Sequence, residues 1–162
     1  MNIVLDTNVL VAGLLSPFGP CGEIVRMVSA GELILLFDAR ILSEYDEVLH
    51  RPKFKFEKEK VTALLDYIVY RGQVVAPSPL ADPLPDSDDE PFLEVAVSGK
   101  AAYLITGNQD HFPADLCQRT KIVSPHQFVT YYKKQKKQKK RMTKSSTRTG
   151  HSPLVSSVVR RT

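Results

Sequence analysis

Short apolar runs alternate along the chain with longer segments whose apolar residues recur at helical spacing. A short, continuous apolar run is typical of a strand that is buried on both faces of a parallel sheet. Strands are predicted on this basis at residues 2–5, 33–37, 73–76, 103–105 and 121–123. Helices are predicted at residues 22–30, 39–50, 57–71, 88–98 and 125–133, while residues 9–15 fit either a short helix or an extended piece.

The order of these elements predicts an α/β domain. Strands that alternate with helices build a mainly parallel central sheet, because parallel neighbours need a crossover connection, and such crossovers are right-handed. Functional groups of an open parallel sheet collect at the carboxyl ends of its strands. The residues that follow each strand are therefore the first candidates for a site.

The formal net charge of +4 is unevenly distributed over the 162 residues. Residues 133–162 contain 11 of the 22 Lys and Arg residues and neither Asp nor Glu. Residues 1–132 therefore contain the other 11 basic residues and all 18 acidic ones, a net charge of −7. We expect a folded acidic domain at 1–132. Residues 133–162 are low in complexity and lack apolar periodicity, so we expect a disordered basic tail that either binds nucleic-acid phosphates or has no function.

Composition excludes several classes of protein. No apolar run approaches the roughly 18 residues of a membrane span, and Asp6 interrupts the apolar start of the chain, which has no basic segment before it. The two cysteines, Cys21 and Cys117, lack the spacing of a metal site. We therefore expect a cytoplasmic protein with reduced thiols and no membrane partner.

Acidic residues from four segments are predicted to meet at one edge of the sheet. Asp6 follows the first strand, and Asp110 follows the strand that ends at residue 105. The acidic run 88–90 begins the helix before that strand, and Glu44 lies on the apolar face of the helix after the second strand. Crowded carboxylates raise one another's pKa, and a divalent cation removes that penalty. Oxygen ligands without His or Cys suit Mg²⁺ or Mn²⁺, which serve phosphate chemistry.

Each of these carboxylates also has a purely structural interpretation. Asp6 and Asp110 fit turn positions, and Glu44 fits a surface ion pair with Arg40, one helical turn earlier. Residues 88–90 fit a helix N-terminus, where acidic groups interact favourably with the dipole. The combination is more specific than any one of these positions, and it favours a site.

Three stretches of sequence resemble the PIN domain family over about residues 1–130. IVLDTNVLVAGLL is similar to the family's opening strand and first acidic position, here Asp6. ARILSEYDEVLHRPKF is similar to the helix that carries the second acid, here Glu44. DPLPDSDDEPFLEVAVSGKAAYLITGNQDHF is similar to the third and fourth acidic blocks. The most similar subgroup is the VapC-like toxins of toxin–antitoxin systems, which implies a three-layer α/β/α fold.

The third acidic position has several candidates in this sequence, and the fourth departs from the family's usual pattern. Asp89 is the best match to the family's third acid, with Asp88 and Glu90 as alternatives within the same acidic run. The fourth block usually reads TGDxD and here reads TGNQD, so Asn108 replaces a common Asp while Asp110 remains. The loss of that charge bears on the binding of a second metal ion.

The resemblance also assigns supporting roles to polar residues around the acids. Thr7 and Asn8 are similar to the family's supporting residues, and Thr106 to the residue that orients the end of the fourth strand. The amide of Asn108 would coordinate metal or hydrogen-bond a phosphate. Glu94 would lie just behind the ligands.

The activity that the resemblance implies is that of a metal-dependent endoribonuclease. Asp6, Glu44 and Asp89 would hold Mg²⁺ or Mn²⁺, and Asp110 would assist or bind a second ion. Water activated by the metal would attack phosphorus in line and leave 5′-phosphate and 3′-hydroxyl ends. Either Glu44 or Asp110 would take the proton from that water.

The implied partners are RNA, a cognate antitoxin that covers the acidic cluster, and a second copy of the chain. The helix predicted at 57–71 has an apolar face that is either a partner interface or part of the core, formed by Leu64, Leu65 and Ile68. A basic rim for RNA is expected from Arg51, Lys53 and Lys55.

Two other functions are consistent with parts of the pattern. A catalytically weakened PIN-like domain would bind RNA or a partner without cutting, and the uncharged Asn108 favours it. A phosphotransfer domain of receiver or HAD type also has an Asp after its first strand. It needs a second Asp two residues on, where this chain has Asn8, or a phosphoacceptor Asp with a downstream Lys after a third strand.

Overall fold

The structure, a computed structural model, describes residues 1–148; residues 149–162, the end of the predicted tail, lie outside the described residues. The strands are β1 Asn2–Leu5, β2 Ile34–Phe37, β3 Gln73–Val74, β4 Tyr103–Ile105 and β5 Lys121–Val123. The α-helices are α1 Thr7–Leu15, α2 Pro20–Ser29, α3 Ala39–Leu49, α4 Lys58–Arg71, α5 Glu90–Ser98 and α6 Pro125–Arg148. Short 3-10 helices occupy Pro52–Phe54, Ser87–Asp89, Gln109–His111 and Ala114–Leu116.

The five strands form one parallel sheet in the order β3-β2-β1-β4-β5. Ile3 of β1 lies opposite Leu35 of β2 and Tyr103 of β4, so β1 is the central strand. With right-handed crossovers, the connections leading outward from β1 to β3 and the connection returning to β4 place helices on opposite faces of the sheet. The predicted three-layer α/β/α fold with a parallel sheet is confirmed.

The direction in which successive strands are added reverses at β1. This makes the carboxyl ends of β1 and β4 a topological switch point, the position at which open α/β sheets form a crevice. Asp6 directly follows β1, and Thr106 directly follows β4. The backbone N–H of Asp6 donates to the carbonyl of Ile105 at 3.0 Å, so strand pairing continues to the first residue of the crevice.

The buried core extends to this edge of the sheet. Ile3, Val4 and Leu5 are fully buried, as expected of a continuous apolar run in a central parallel strand. Tyr45 of α3 is also fully buried, and its hydroxyl donates to the carbonyl of Leu5. Because Leu5 immediately precedes Asp6, this hydrogen bond fixes α3 against the end of the strand that bears the acid.

Residues 9–15, which fitted a helix or an extended piece, belong to helix α1. The carbonyl of Asp6 accepts from the N–H groups of Val9 at 3.0 Å and Leu10 at 3.4 Å, so the helix starts directly after β1. A Cβ atom on Gly13 would lie 2.6 Å from the carbonyl oxygen of Cys21. The missing side chain therefore allows α1 and α2 to pack closely.

The described part of the chain divides into two units between Val129 and Thr130. The disorder expected from residue 133 is corrected for residues 133–148, which belong to the 24-residue helix α6. Lys, Gln and Arg are good helix formers, and neither Gly nor Pro occurs between residues 126 and 148. The hydroxyls of Thr143 and Thr147 donate to the carbonyls of Lys139 at 2.8 Å and Thr143 at 2.7 Å.

Among residues 1–148, no single helix is long and apolar enough to cross a membrane. Helices α1 and α2 meet the requirements of length and composition only when taken together, and they are bent by 99° at their junction.

The hydrogen bond between Tyr45 and Leu5 is open to a direct test of stability. Tyr45→Phe leaves the carbonyl of Leu5 without this buried donor, and we expect the free energy of unfolding to fall by about 1–2 kcal/mol. Urea denaturation measures the change. Tyr70→Phe is the control because Tyr70 is 82% exposed, and an equal loss in both variants would contradict a specific contribution from Tyr45.

Candidate active site at the carboxyl edge of the sheet

Asp6 is a buried carboxylate held by the end of the neighbouring strand. Its residue is only 7% exposed, and its Oδ2 atom accepts a hydrogen bond of 2.7 Å from the hydroxyl of Thr106. The Thr106 oxygen in turn accepts from the backbone N–H of Asn108 at 3.0 Å. Thr106 therefore orients the carboxylate of Asp6 and shapes the turn after β4.

Glu44 reaches the same edge from the middle of α3. The hydroxyl of Thr7, the first residue of α1, donates to the Oε2 atom of Glu44. Burial raises the pKa of Glu44, and the charges of Asp6, Asp88 and Asp89 raise it further against the lowering effect of the Thr7 hydrogen bond. These groups therefore lie close enough for their charges to interact.

The surface ion pair between Glu44 and Arg40 is not formed. Arg40 instead contacts Asp38 at 2.8 Å and Glu94 at 3.4 Å. Asp38 also caps α3, since its Oδ1 atom accepts from the N–H of Ile41 at 3.0 Å. Glu94 is thus a buried acid neutralised by an arginine, next to the elements that carry the site.

Asp89 is the third member of the group. It ends the 3-10 helix Ser87–Asp89 just before α5, and its side chain is 15% exposed. Burial raises its pKa, with the charges of Asp6 and Asp86 acting in the same direction and the hydrogen bond to His111 acting against it. Asp6, Glu44 and Asp89 therefore form an acidic cluster, the name used below for these three carboxylates.

The alternatives to Asp89 have other contacts. Glu90 accepts from the backbone N–H of Leu84 at 3.2 Å and so holds the loop before α5. Asp88 is exposed, although its charge still raises the pKa of Glu44. Asp89 combines partial burial with interaction with Asp6, which favours it as the third acid.

The turn after β4 presents a histidine to the cluster. Nδ1 of His111 lies 3.0 Å from Oδ2 of Asp89, and since a carboxylate only accepts, the ring N–H donates. Asp110 is exposed in the same 3-10 helix, and its side chain takes no part in the hydrogen bonds and ion pairs found within residues 1–148. Asn8 and Asn108 are also exposed. Sequence reasoning missed His111; its position next to Asp110, in the turn after a strand, was the available signal.

Basic groups border the cluster on the side of α3. Arg51 lies just after this helix and pairs with Glu47 at 2.9 Å; this bond is the main cause of its raised pKa, and the charge of Glu44 contributes. Lys53 and Lys55 are exposed in and after the 3-10 helix Pro52–Phe54. Of these three basic residues, Arg51 is the one whose charge interacts with that of Glu44.

The carboxylates do not form a finished metal site. Within residues 1–148, no group of three or more His, Cys, Asp and Glu side chains has the geometry to hold a metal ion. The arrangement is instead an anionic group in which oxygen atoms from three separate elements interact electrostatically.

Three comparisons with known proteins bear on the family to which this chain belongs. A protein from Methanocaldococcus jannaschii, described as uncharacterised, is 26% identical over 113 residues, which cover 68% of this chain and 72% of that protein. The crystal structure titled VapBC2 from Rickettsia felis bound to a DNA fragment from their promoter matches with a TM-score of 0.50 and 14% identity, over 76% of this chain and 98% of the matched chain. The model of the PIN domain family matches residues 2–110, which include Asp6, Glu44, Asp89 and Asp110. The chain therefore belongs to the PIN domain family.

Proposed function

We propose that this protein is a metal-dependent endoribonuclease whose active site is the acidic cluster. PIN domains are typically nucleases. The observation that carries the proposal is the gathering of Asp6, Glu44 and Asp89 at the carboxyl edge of the sheet, where Thr106 and Thr7 donate hydrogen bonds to the first two. Burial and neighbouring carboxylates raise the pKa of Glu44 and Asp89, in agreement with this placement. Structural acids are usually paired with bases, whereas perturbed acids gathered in a crevice at a switch point are typical of active sites.

The donor chemistry of the cluster fits a hard divalent cation. PIN domains generally use such ions. Asp6, Glu44 and Asp89 offer only oxygen, the ligand type that Mg²⁺ and Mn²⁺ prefer. A bound cation would offset the repulsion between the carboxylates, polarise the scissile phosphate and lower the pKa of the attacking water.

The residues of the chain have distinct tasks in this proposal. Thr106 and Thr7 fix the orientations of Asp6 and Glu44 by donating hydrogen bonds that each carboxylate keeps when ionised. The proton from the attacking water would pass to Glu44 or to Asp110, the two acids to which the family resemblance gives this role. Arg51 and the neighbouring lysines attract the RNA backbone to the edge of the cluster.

The toxin–antitoxin assignment extends the proposal to partners. The Rickettsia felis structure is titled as VapBC2, and its fold is similar to that of this chain. On that basis we include a cognate antitoxin that covers the acidic cluster, and a homodimer. In α4, Ile68 is buried in the core, whereas Leu64 and Leu65 are half-buried and remain candidates for an interface.

Asp6→Asn tests the nuclease directly. The amide oxygen of Asn still accepts from Thr106, so the fold is kept while the charge is lost. We expect cleavage of single-stranded RNA in Mg²⁺ to fall at least about a hundredfold, and EDTA to abolish cleavage by the unaltered chain.

Asp66→Asn is the control, because Asp66 is an exposed carboxylate on α4 outside the cluster. Cleavage that is unaffected by EDTA would contradict the metal mechanism. RNA binding without any cleavage by the unaltered chain would favour the catalytically weakened domain instead.

The acidic cluster also predicts how the stability of the metal-free protein depends on pH. The folded-state pKa values of Glu44 and Asp89 are raised, so the folded chain binds their protons more tightly than the unfolded chain. Their contribution to stability is present below the ordinary carboxyl pKa of about 4 and is lost as pH rises through the raised values. Urea denaturation across this range, without metal, is expected to show that loss.

Glu44→Gln and Asp89→Asn should each weaken this pH dependence and raise the unfolding midpoint at neutral pH while abolishing activity. Glu47→Gln is the control of opposite sign, because Arg51 lowers the pKa of Glu47 by a hydrogen bond. An unfolding midpoint that falls in both cluster variants at neutral pH would show that the carboxylates are not in repulsion.

His111 and Asp110 lie in the same 3-10 helix, and either could support the acidic cluster from the turn after β4. The hydrogen bond between His111 and Asp89 favours His111. We expect His111→Ala to lower kcat by about tenfold, because Asp89 loses the donor that orients it. Asp110→Asn, one residue away, is expected to change kcat by less than about threefold. Steady-state cleavage measures both, and the reverse order would assign the fourth position to Asp110 instead.

A further inference from the structure

The second unit of the chain has a strongly one-sided charge. Residues 133–148 contain nine Lys and Arg residues without any Asp or Glu, and all of them lie in helix α6. Every residue in this segment is exposed. A repetitive sequence that suggested disorder therefore presents its charges on a regular scaffold.

Helical geometry sorts these charges to one side. At about 100° per residue, eight of the nine cations fall within an arc of roughly 160°. The opposite arc carries Gln135, Gln138, Met142 and two serines, with Lys139 as the exception. The basic face, as we call it, consists of Lys133, Lys134, Lys136, Lys137, Lys140, Arg141, Lys144 and Arg148.

The basic face is electrostatically unfavourable on its own. Cations three and four positions apart on a helix repel one another, as Lys133 and Lys137 or Lys137 and Lys140 do here. A polyanion that lies along the face relieves this repulsion and releases the counterions condensed on it. The face is about 24 Å long at 1.5 Å per residue, which is long enough to contact several successive phosphates.

We propose that the basic face binds the phosphate backbone of single-stranded RNA and tethers it to the chain. Residues 1–132 carry a net charge of −7 and repel a polyanionic substrate overall, so the basic face would add to the local attraction of Arg51, Lys53 and Lys55. The inference deepens the proposed function and rests on it for the choice of RNA as the polyanion. A tether raises the concentration of RNA at the chain without a fixed docking geometry.

The composition of the helix argues against other occupants. Membrane-surface helices combine basic residues with large apolar ones on the opposite face, and only Met142 is apolar between residues 133 and 148. The same deficit argues against a coiled coil. No aromatic residue occurs in this segment, so bases have no platform on which to stack, and binding is expected to be independent of sequence.

The test compares two triple variants of the full chain, each in the cleavage-deficient Asp6→Asn background and in EDTA. The first replaces Lys137, Lys140 and Lys144 by Gln, which removes charge from the centre of the face and keeps helix propensity. The matched control replaces Gln135, Gln138 and Met142 by Ala on the opposite side. Fluorescence anisotropy with a short mixed-sequence RNA, over a series of salt concentrations, gives the affinity and its salt dependence.

We expect the Lys triple variant to bind at least about tenfold more weakly at low salt. The slope of log K against log salt should become shallower by about 2, since each phosphate contact on a single strand contributes about 0.7. The control should keep the affinity and the slope of the parent. Equal affinity and slope in the Lys variant and the control would overturn the tether, as would tighter binding to duplex DNA than to the RNA.

Cleavage with Asp6 restored distinguishes this inference from the nuclease proposal. The Lys triple variant should raise KM and leave kcat unchanged. An inactive chain that binds RNA through the basic face would refute the nuclease and keep the tether. An active chain whose KM is unaffected by the three substitutions would refute the tether and keep the nuclease.

Discussion

The hydrogen bond between Thr106 and Asp6 joins the ends of two neighbouring strands at the acidic cluster. The residues are 100 positions apart, and the bond exists because β1 and β4 are neighbours in the sheet. A buried carboxylate needs such a donor, since an ionised group without partners is very unfavourable in the protein interior. The other two acids of the cluster are positioned by different elements. Glu44 accepts a hydrogen bond from Thr7, and Asp89 lies just before the start of α5.

The cluster illustrates a conflict between stability and function. Burial and neighbouring charges raise the pKa of Glu44 and Asp89, which weakens the fold near neutral pH, and hydrogen bonds from Thr7 and His111 act against this effect. Arg40 could have neutralised Glu44 from one turn away, yet its guanidinium pairs with Asp38 and Glu94. The negative potential of the crevice is therefore preserved, while the structural acids around it are paired.

The strands and most helices could be predicted because each carries its signal locally, in a continuous apolar run or a helical repeat. The positions of Asp6 and Glu44 could be predicted as well, because the sequence pattern indicates where a strand ends and which face of a helix is apolar. The contact of His111 could not, because it depends on the path of a 3-10 turn relative to a different helix. The helix over residues 133–148 was missed for another reason: a repetitive polar sequence was interpreted by its complexity, although its residues favour the helix.

The strand order determines when, during synthesis of the chain, the partners of Asp6 become available. β1 is made first, yet its partner β4 begins only at Tyr103, and His111 is made later still. A nascent or truncated chain that ends before β4 contains Asp6 without Thr106, the residue that orients its carboxylate. In a PIN domain with this topology, Asp6 and Glu44 are synthesised early, whereas the strand that orients Asp6 is added only when the sheet is nearly complete.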